Sequence, residues 1–372
     1  MVLSKYGTNI SILRGYMSTQ TLLQFTDQGI YCAVGDFYID PWVPVPRAVV
    51  THAHGDHLTR GSAAYLFSSE GEHVFRVRLS DDAVYQTADY GEPVMLNGVR
   101  VSLHPAGHIL GSAQVRVEYQ GEVWVASGDY KIEADPTCTP FEPVKCHTFI
   151  TEATFGLPIY HWSPQQTIFD QINAWWRANA EAGKSTLIYG YALGKAQRLL
   201  AGVDAGIGPI YTHGAVERLN RAYRESGVNL PETIYATSAK RASYAGALII
   251  APLSARGTSW TRRFGTHASG FASGWMRIRG ARRRRAVDRG FVISDHVDWD
   301  GLMQAIEATG AERIWVTHGY VAVVARWLRE QGYEAQGFQT RYEGEREELE
   351  DVTVREAESA EEAADEGGEG QV

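Results

Sequence analysis

The sequence predicts an α/β protein, and three features support that class. Between residues 29 and 126, short apolar or alternating runs are bounded by Gly, Asp and Pro, which is typical of strands. From residue 163 onward, runs of strand length alternate with apolar residues at helical spacing, as in a parallel sheet with crossover helices. Clusters of His and Asp stand where several predicted strands end, so we expect the chemistry at strand ends.

The predicted elements follow one another in this order. Strands cover residues 29–39, 47–51, 94–104, 113–119 and 122–126, and a helix that begins at Ser-Pro covers 163–180. Strands at 186–189, 209–211 and 247–251 alternate with helices that begin at residues 195 and 215. The last strands, 290–294 and 313–317, flank a helix at 299–308. The alternation after residue 163 predicts a small parallel α/β unit.

The formal net charge of −9 is concentrated in one segment. Residues 343–372 contain 13 acids and two arginines, a net charge of −11, so residues 1–342 carry +2. We expect this acidic tail to be disordered and solvated. Six arginines lie within residues 277–285, and such a cluster indicates either a contact with a polyanion or a solvated surface run.

Three cysteines without a CxxC pair argue against a disulfide framework and a thiolate zinc site, and they fit a reducing cytoplasm. No run reaches the roughly 18 apolar residues of a membrane span, and the first residues do not resemble a signal peptide. We therefore expect a cytoplasmic protein that does not associate with a membrane. Met17 is an alternative start to Met1, because the strand pattern begins only after it; mass spectrometry finding residues 1–16 in protein from the native gene would contradict this.

The densest chemical signal is the run HAHGDH at residues 52–57, directly after a predicted strand. Imidazole and carboxylate groups suit zinc and similar divalent ions. In a loop at a strand end, alternate residues can point inward. His52 and His54 can then hold one ion while Asp56 and His57 turn toward a second.

Four isolated residues complete the candidate site: His108, Asp129, His296 and His318. Each lies close to a strand-like run and has Gly or Ser nearby. A single His in such a place is more often structural, but the HAHGDH run reverses that expectation. A two-metal site needs a shared carboxylate and about three ligands per ion. Asp129 can bridge two ions, and His108 and His318 can complete the two sets of ligands.

Together these motifs resemble the metallo-β-lactamase superfamily. Further short stretches resemble motifs A, B and C of its β-CASP branch, which acts on nucleic acids: TEATFG at 151–156, SDH at 294–296 and THG at 317–319. The chain is more similar still to bacterial ligase-associated DNA exonucleases, in GDFYIDPW at 35–42, YALGKAQR at 191–198, SGWM at 273–276 and SDHVDW at 294–299. Related RNA 3′-end processing factors share most of these motifs. The resemblance covers about residues 28 to 342.

The resemblance implies an αββα sandwich with an inserted small β-CASP α/β domain. Residues 17–160 and 286–342 would be the two parts of the metallo-β-lactamase domain, 161–285 the β-CASP cassette and 343–372 the acidic tail. The cassette is short for the branch, from which we infer an open substrate groove.

The resemblance also implies the ligand sets. One metal would take His52, His54, His108 and the bridging Asp129, and the second would take Asp56, His57, Asp129 and His318. Asp40 matches the acid of the family's first motif and would order the ligand loop without binding metal. Zinc is the expected ion, with manganese as the alternative.

The expected reaction is phosphodiester hydrolysis, in which two ions activate a water and neutralise phosphate charge. Asp56 would orient that water or accept its proton. His296 would give a proton to the leaving oxygen, because imidazole titrates near neutral pH. Glu152 would accept a hydrogen bond from His296 and favour its charged form; the alternative is an ordinary acid at a strand end.

Several residues are candidates for nucleic-acid contacts. Lys195 begins a predicted helix, where free N–H groups favour phosphate, and Arg198 lies one turn later. Arg282 and Arg283, with the next two arginines, could follow a strand that enters the site. Trp275 and Trp299 could stack on bases, although Trp is more often part of a core.

Three functions compete at this point. The leading one is a DNA exonuclease that processes single-stranded ends in repair, with a functional link to an ATP-dependent DNA ligase. The second is an RNA nuclease or 3′-end processing enzyme. The third is a thioester or lactam hydrolase, which has no need for Glu152, His296 or the arginine cluster. A non-catalytic relative typically loses ligands, and every expected ligand is present. No residue decides between DNA and RNA, between 5′ and 3′ attack, or between endo- and exonuclease action.

Overall fold

The computed structural model describes residues 21–236, 244–278 and 287–340. The acidic tail, both candidate start sites and the arginines at 282–285 lie outside these ranges. Within them, the chain forms three sheets and seven α-helices, which confirms the α/β prediction. None of the helices in this part of the chain is long and apolar enough to span a bilayer.

The first sheet has six strands that lie side by side in chain order. They are β1 (Gln24–Thr26), β2 (Gly29–Cys32), β3 (Phe37–Ile39), β4 (Ala48–Val49), β5 (Tyr65–Ser68) and β6 (Tyr85–Ala88). The pairs β1–β2 and β2–β3 are antiparallel, and the other three neighbouring pairs are parallel. The single strand predicted at 29–39 is therefore wrong, because the chain reverses between Cys32 and Phe37, where Asp36 has a φ of 52°.

The second sheet has seven strands in the order β19-β18-β11-β10-β9-β8-β7. They are β7 (Pro93–Leu96), β8 (Val99–Pro105), β9 (Ala113–Tyr119), β10 (Glu122–Ala126), β11 (Thr148–Glu152), β18 (Arg313–Thr317) and β19 (Glu334–Gly337). The predicted bounds of β9, β10 and β18 are confirmed. The strand predicted at 94–104 is two strands, because Asn97 and Gly98 have φ values of 47° and 83° and form a two-residue hairpin turn.

The third sheet is entirely parallel, in the order β14-β13-β15-β12-β16-β17. Its strands are β12 (Ser185–Tyr189), β13 (Ile210–Thr212), β14 (Ile234–Tyr235), β15 (Leu248–Ala251), β16 (His267–Ala272) and β17 (Arg289–Phe291). At one edge of this sheet, β17 pairs with β16 and extends the sheet to Phe291. Apolar pattern alone does not tell which sheet a strand joins.

The helices cover the outer faces of these sheets. They are α1 (Glu72–Arg78), α2 (Gln165–Glu181), α3 (Lys195–Gly202), α4 (Gly214–Glu225), α5 (Ser259–Arg262), α6 (Trp299–Thr309) and α7 (Val321–Glu330). The ends of α6 follow from its sequence. The side chain of Asp298 accepts a hydrogen bond from the N–H of Gly301, and Gly310 ends the helix with a φ of 66°.

The core shows how the layers stack. The first two sheets face each other through side chains such as Phe37, Leu66, Val115 and Trp124. α6 and α7 cover the other face of the second sheet. Side chains on the outer face of the first sheet share one apolar cluster with α1 and with the helices α2, α3 and α4 of the third-sheet unit. The third sheet is therefore joined to the rest by a continuous apolar core, in which each large side chain contributes about 1.5–3 kcal/mol.

Candidate metal centre

Four strands of the second sheet end at one edge, and chemically active residues follow them. β10, β11 and β18 are parallel neighbours, and β8 runs the same way because two antiparallel pairings separate it from β10. His108 follows β8, Asp129 follows β10, Glu152 ends β11 and His318 follows β18. The HAHGDH run follows β4 of the facing sheet. The ends of these strands therefore bring together residues that lie far apart in sequence.

Glycines allow the chain to approach closely at two of these positions. Gly107 has a φ of 70°, and a Cβ there would lie 2.3 Å from the backbone oxygen of Lys131. Gly128 has a φ of 57°, and a Cβ would lie 2.6 Å from the side chain of Thr51. The glycines before His108 and Asp129 are thus required by backbone conformation and by space.

The first group of candidate ligands is His52, His54, His108 and Asp129, all buried, with donor atoms within 4.8 Å of one another. The Nε2 atoms of His52 and His108 each lie 3.1 Å from Nδ1 of His54. Asp129 Oδ2 lies 3.5 Å from His52 Nε2. Two ligands on a tetrahedral zinc ion with bonds of about 2.1 Å are about 3.4 Å apart. The spacing therefore fits one such ion.

The second group is Asp56, His57 and His318. His57 Nε2 lies 3.7 Å from Asp56 Oδ2 and 3.4 Å from Asp129 Oδ2, so the Asp129 carboxylate stands between the two groups. Among the described residues, His57 Nε2 and Asp129 Oδ1 are buried and make no hydrogen bond. Buried polar atoms are rarely left in this condition, and a divalent ion would satisfy both. Imidazole and carboxylate donors suit zinc or manganese, so these residues fit two ions.

Four of the five imidazoles in these groups donate a hydrogen bond through one ring nitrogen to an acceptor outside the groups, and their other ring nitrogen faces the groups. The acceptors are Asp40 Oδ2 for His57 Nδ1 (2.8 Å), the Asp295 carbonyl for His108 Nδ1 (2.9 Å), the Leu193 carbonyl for His54 Nε2 (3.2 Å) and Thr51 Oγ1 for His52 Nδ1 (3.1 Å). Such outer hydrogen bonds fix the tautomer and the orientation of histidine ligands. The four rings are therefore arranged for binding before any ion arrives.

Asp40 lies outside both groups and holds the ligand loop. Its Oδ1 accepts a hydrogen bond from Thr51 N at 2.8 Å, and its Oδ2 accepts from Thr51 Oγ1 at 2.6 Å and from His57 Nδ1. Asp40 therefore contacts the ligand loop at two residues, Thr51 and His57.

The electrostatics of the centre favour cation binding. Burial, with His57 and His108 nearby, holds the pKa of His52 well below its usual range, and burial lowers the pKa of His108 to about 3. Both rings are therefore neutral near pH 7, as ligation requires. Burial opposes the charge on Asp129, but His57 and His296 hold the pKa of its carboxyl well below its usual range. Asp129 is therefore an anion at the point shared by the two groups.

His296 and Glu152 form a buried pair beside this centre. His296 Nδ1 lies 3.0 Å from both carboxylate oxygens of Glu152, and Glu152 Oε1 also accepts from Tyr130 N at 2.9 Å. The same nitrogen is 4.0 Å from Asp129 Oδ2. The structure thus places the predicted acid and its carboxylate partner next to the shared ligand.

The side chains of two residues that were expected to contact phosphate, Lys195 and Arg198, are buried. Lys195 and Arg198 are 0% and 1% exposed. Lys195 Nζ lies 3.2 Å from Asp295 Oδ1, and Arg198 Nε lies 2.8 Å from Asp135 Oδ2. The two side chains expected to contact a backbone phosphate are therefore held inside the protein by these carboxylates.

The other residues expected to contact nucleic acid pack on aromatic rings or lie outside the described part of the chain. Trp275 and Trp299 are half-buried and pack on Phe155 and Trp327, at ring distances of 4.8 and 5.1 Å. Arg282 and Arg283 lie outside the described residues. Sequence reasoning missed Asp295, whose carbonyl orients His108, although it is the central residue of the SDH motif.

A cavity opens beside the second group. Its lining includes Asp40, Trp42, Asp56, His57 and His318. The Asp56 side chain is 28% exposed, in contrast to the fully buried His52. Asp56 therefore lies where water and substrate could reach the centre.

Fold and site together define an α/β protein with a candidate two-metal centre, and comparison with known proteins gives its family. A probable DNA ligase from Opitutus terrae is 30% identical over 310 residues, 82% of this chain and 30% of the relative. Endoribonuclease YSH1 from Saccharomyces cerevisiae is 29% identical over 121 residues, 32% of this chain and 15% of the relative. Cleavage and polyadenylation specificity factor subunit 3 from Dictyostelium discoideum is 31% identical over 190 residues, 46% of this chain and 24% of the relative. The chain belongs to the β-CASP branch of the metallo-β-lactamase superfamily.

Comparison with family models and with solved structures gives no further information on the family. No family model matches the chain. A solved structure of a protein of unknown function from Enterococcus faecalis has a TM-score of 0.53 and 11% identity and covers 80% of both chains, which shows a similar fold alone. The chain spans less than a third of the length of the curated relatives named above.

Proposed function

We propose that this protein is a metal-dependent nuclease that hydrolyses phosphodiester bonds, and that it shortens single-stranded DNA ends during repair. The observation that carries the proposal is the pair of ligand groups around Asp129 with the His296–Glu152 pair beside them. The similarity to a probable DNA ligase supports DNA as the substrate and a link to an ATP-dependent ligase. We further propose a cytoplasmic location.

The proposal extends to the fold. The first two sheets with their outer helices correspond to a metallo-β-lactamase sandwich, and the third sheet corresponds to the β-CASP cassette. Strand pairing supports a cassette from about residue 161 to Phe291, a little longer than the sequence pattern indicates.

In the proposed mechanism, each protein residue has one task. Divalent ions, when bound, supply an activated water and neutralise phosphate charge. Asp56, at the cavity, orients the attacking water or accepts its proton. Glu152 holds His296 through Nδ1, so that the ring can give the proton on Nε2 to the leaving oxygen.

A second candidate is an RNA nuclease that processes 3′ ends, because two of the relatives carry names of RNA-processing proteins. The discriminating group on the substrate is the 2′-hydroxyl. A small-molecule hydrolase is less favoured, since hydrolysis of a thioester or lactam does not need the buried His296–Glu152 pair.

The substrate test uses end-labelled single-stranded DNA, double-stranded DNA and matching RNA with Zn²⁺, Mn²⁺ or Mg²⁺ added. We expect progressive shortening of single-stranded DNA with Zn²⁺ or Mn²⁺, and no cleavage after chelation. Labels at either end give the polarity, and circular DNA separates exonuclease from endonuclease action. Cleavage of RNA alone would establish the second candidate instead.

The basic segment gives a separate prediction. Replacing Arg282 and Arg283 with Gln should weaken binding of single-stranded DNA and reduce the slope of log Kd against log salt by about 0.7 per lost phosphate contact. Replacing Arg326, an exposed arginine on α7 that pairs with Glu330, is the matched control. An unchanged slope for the double variant would show that these two arginines are solvated surface residues.

A further inference from the structure

The two ligand groups differ in where their outer hydrogen bonds come from. In the second group, His57 is hydrogen-bonded to Asp40, which directly follows β3 of the first sheet. In the first group, His54 is held by the Leu193 carbonyl, which directly precedes α3. His108 is held by the Asp295 carbonyl, which follows the last strand of the third sheet. Two histidines of the first group, His54 and His108, are therefore oriented by segments that the third-sheet unit contributes, whereas His52 is held by Thr51 beside the first sheet.

Two buried cations fix those segments in place. Lys195 pairs with the Asp295 carboxylate at 3.2 Å. Arg198 pairs with Asp135 at 2.8 Å and donates to the carbonyls of Ser294 at 2.9 Å and His108 at 3.2 Å. One guanidinium thus joins α3 to the loops that carry His108 and Asp295, with a geometry that a single ammonium group cannot reproduce.

The start of α3 also packs closely against the loop that carries His108. Gly194 has a φ of 84°, and a Cβ there would lie 2.3 Å from the side chain of Ile109, the residue after His108. Asp295 is 1% exposed, and Lys195 Nζ at 3.2 Å is the cation that faces its carboxylate. A buried charge that loses its partner is strongly destabilised, so this arrangement tolerates little displacement.

We propose that Lys195 and Arg198, with their partners Asp295 and Asp135, form a clamp that positions His54 and His108 and thereby sets the metal affinity of the first group alone. These are positioning residues and touch neither metal nor substrate. The inference rests on the proposed two-metal centre. It gives the third-sheet unit a role in assembling the metal centre, in addition to any contact with substrate.

The experiment measures Zn²⁺ affinity by chelator competition, with each group isolated in turn. His318→Ala removes a ligand of the second group and leaves the first intact, whereas His52→Ala does the reverse. In the His318→Ala background, Arg198→Lys and Lys195→Met should each weaken Zn²⁺ binding by about 10–100-fold. In the His52→Ala background, the same substitutions should leave Zn²⁺ affinity unchanged.

Matched control variants distinguish a loss of ligand positioning from a general loss of folding stability. Arg177→Lys alters an Arg–Asp pair of the same unit, with Asp204, whose side chains are both 53% exposed, and it should not change Zn²⁺ affinity in either background. Arg198→Lys keeps the charge opposite Asp135, and thermal unfolding of the metal-free protein shows whether it folds. Equal losses in both backgrounds, or no loss in either, would overturn the clamp. Failure of the unsubstituted protein to bind Zn²⁺ would overturn the metal centre itself.

Discussion

Asp129→Asn should remove about 4 kcal/mol of transition-state stabilisation, a roughly thousand-fold fall in kcat. Asp129 Oδ2 lies 3.5 Å from His52 Nε2 and 3.4 Å from His57 Nε2, so one carboxylate serves both ligand groups. Asparagine keeps the shape of the side chain but loses the negative charge that would hold two cations close together. The measurements are Zn²⁺ stoichiometry and kcat on a labelled oligonucleotide.

The matched control is Asp204→Asn, which neutralises an exposed carboxylate in the third-sheet unit and should change neither quantity. If Asp129→Asn retained two ions and full turnover, Asp129 would not be a shared ligand. The two groups would then be separate sites, and the two-metal mechanism would fail.

His296→Ala should retain two ions per chain and lose about 10²–10⁴-fold in kcat, the usual contribution of a positioned general acid. The ring lies beside Asp129. Its Nδ1 is hydrogen-bonded to the carboxylate of Glu152, so this nitrogen is not available to bind a metal ion. Glu152→Gln is the companion variant, because it keeps the shape of the partner while removing its charge. The Glu152→Gln variant should bind both ions, and its kcat should lie between the kcat of the wild type and that of His296→Ala.

Metal analysis decides between an acid and a ligand at this position. His296 also lies close enough to His108 and Asp295 for the three to hold an ion. Loss of one ion on His296→Ala would therefore identify the residue as a ligand and contradict the acid role. A leaving group with a low pKa provides a second test, since it needs no proton and should restore much of the lost rate in His296→Ala.

Local pattern predicted much of the secondary structure. β9, β10 and β18 have the bounds expected, because their apolar residues alternate or run without interruption up to a turn. Two predicted strands were hairpins, since a tight turn through positive φ does not interrupt the apolar pattern. Several elements were not predicted, among them β5, β6, β16, β19, α1 and α7. The sequence did not tell which sheet β17 joins, because strand pairing is a contact between distant segments.

Lys195 and Arg198 show where sequence reasoning fails at a site. The free N–H groups and the dipole at the start of a helix favour phosphate, and that expectation led to the phosphate-contact prediction. Here α3 is covered on both sides, and Asp295 and Asp135 neutralise the two cations inside the protein. Asp135 lies 63 positions from Arg198, counting from the printed numbering, so no local pattern could reveal the pairing.

The sequence by itself determined which groups are candidates for the chemistry, because donor type is a property of the side chain and a dense HAHGDH run rarely arises without a function. Only the tertiary structure decided how those groups are oriented. It placed Asp129 between two ligand groups, joined His296 to Glu152, and gave His54 and His108 acceptors on segments of the third-sheet unit. These relations depend on distances between strand ends, and packing of the three sheets sets those distances.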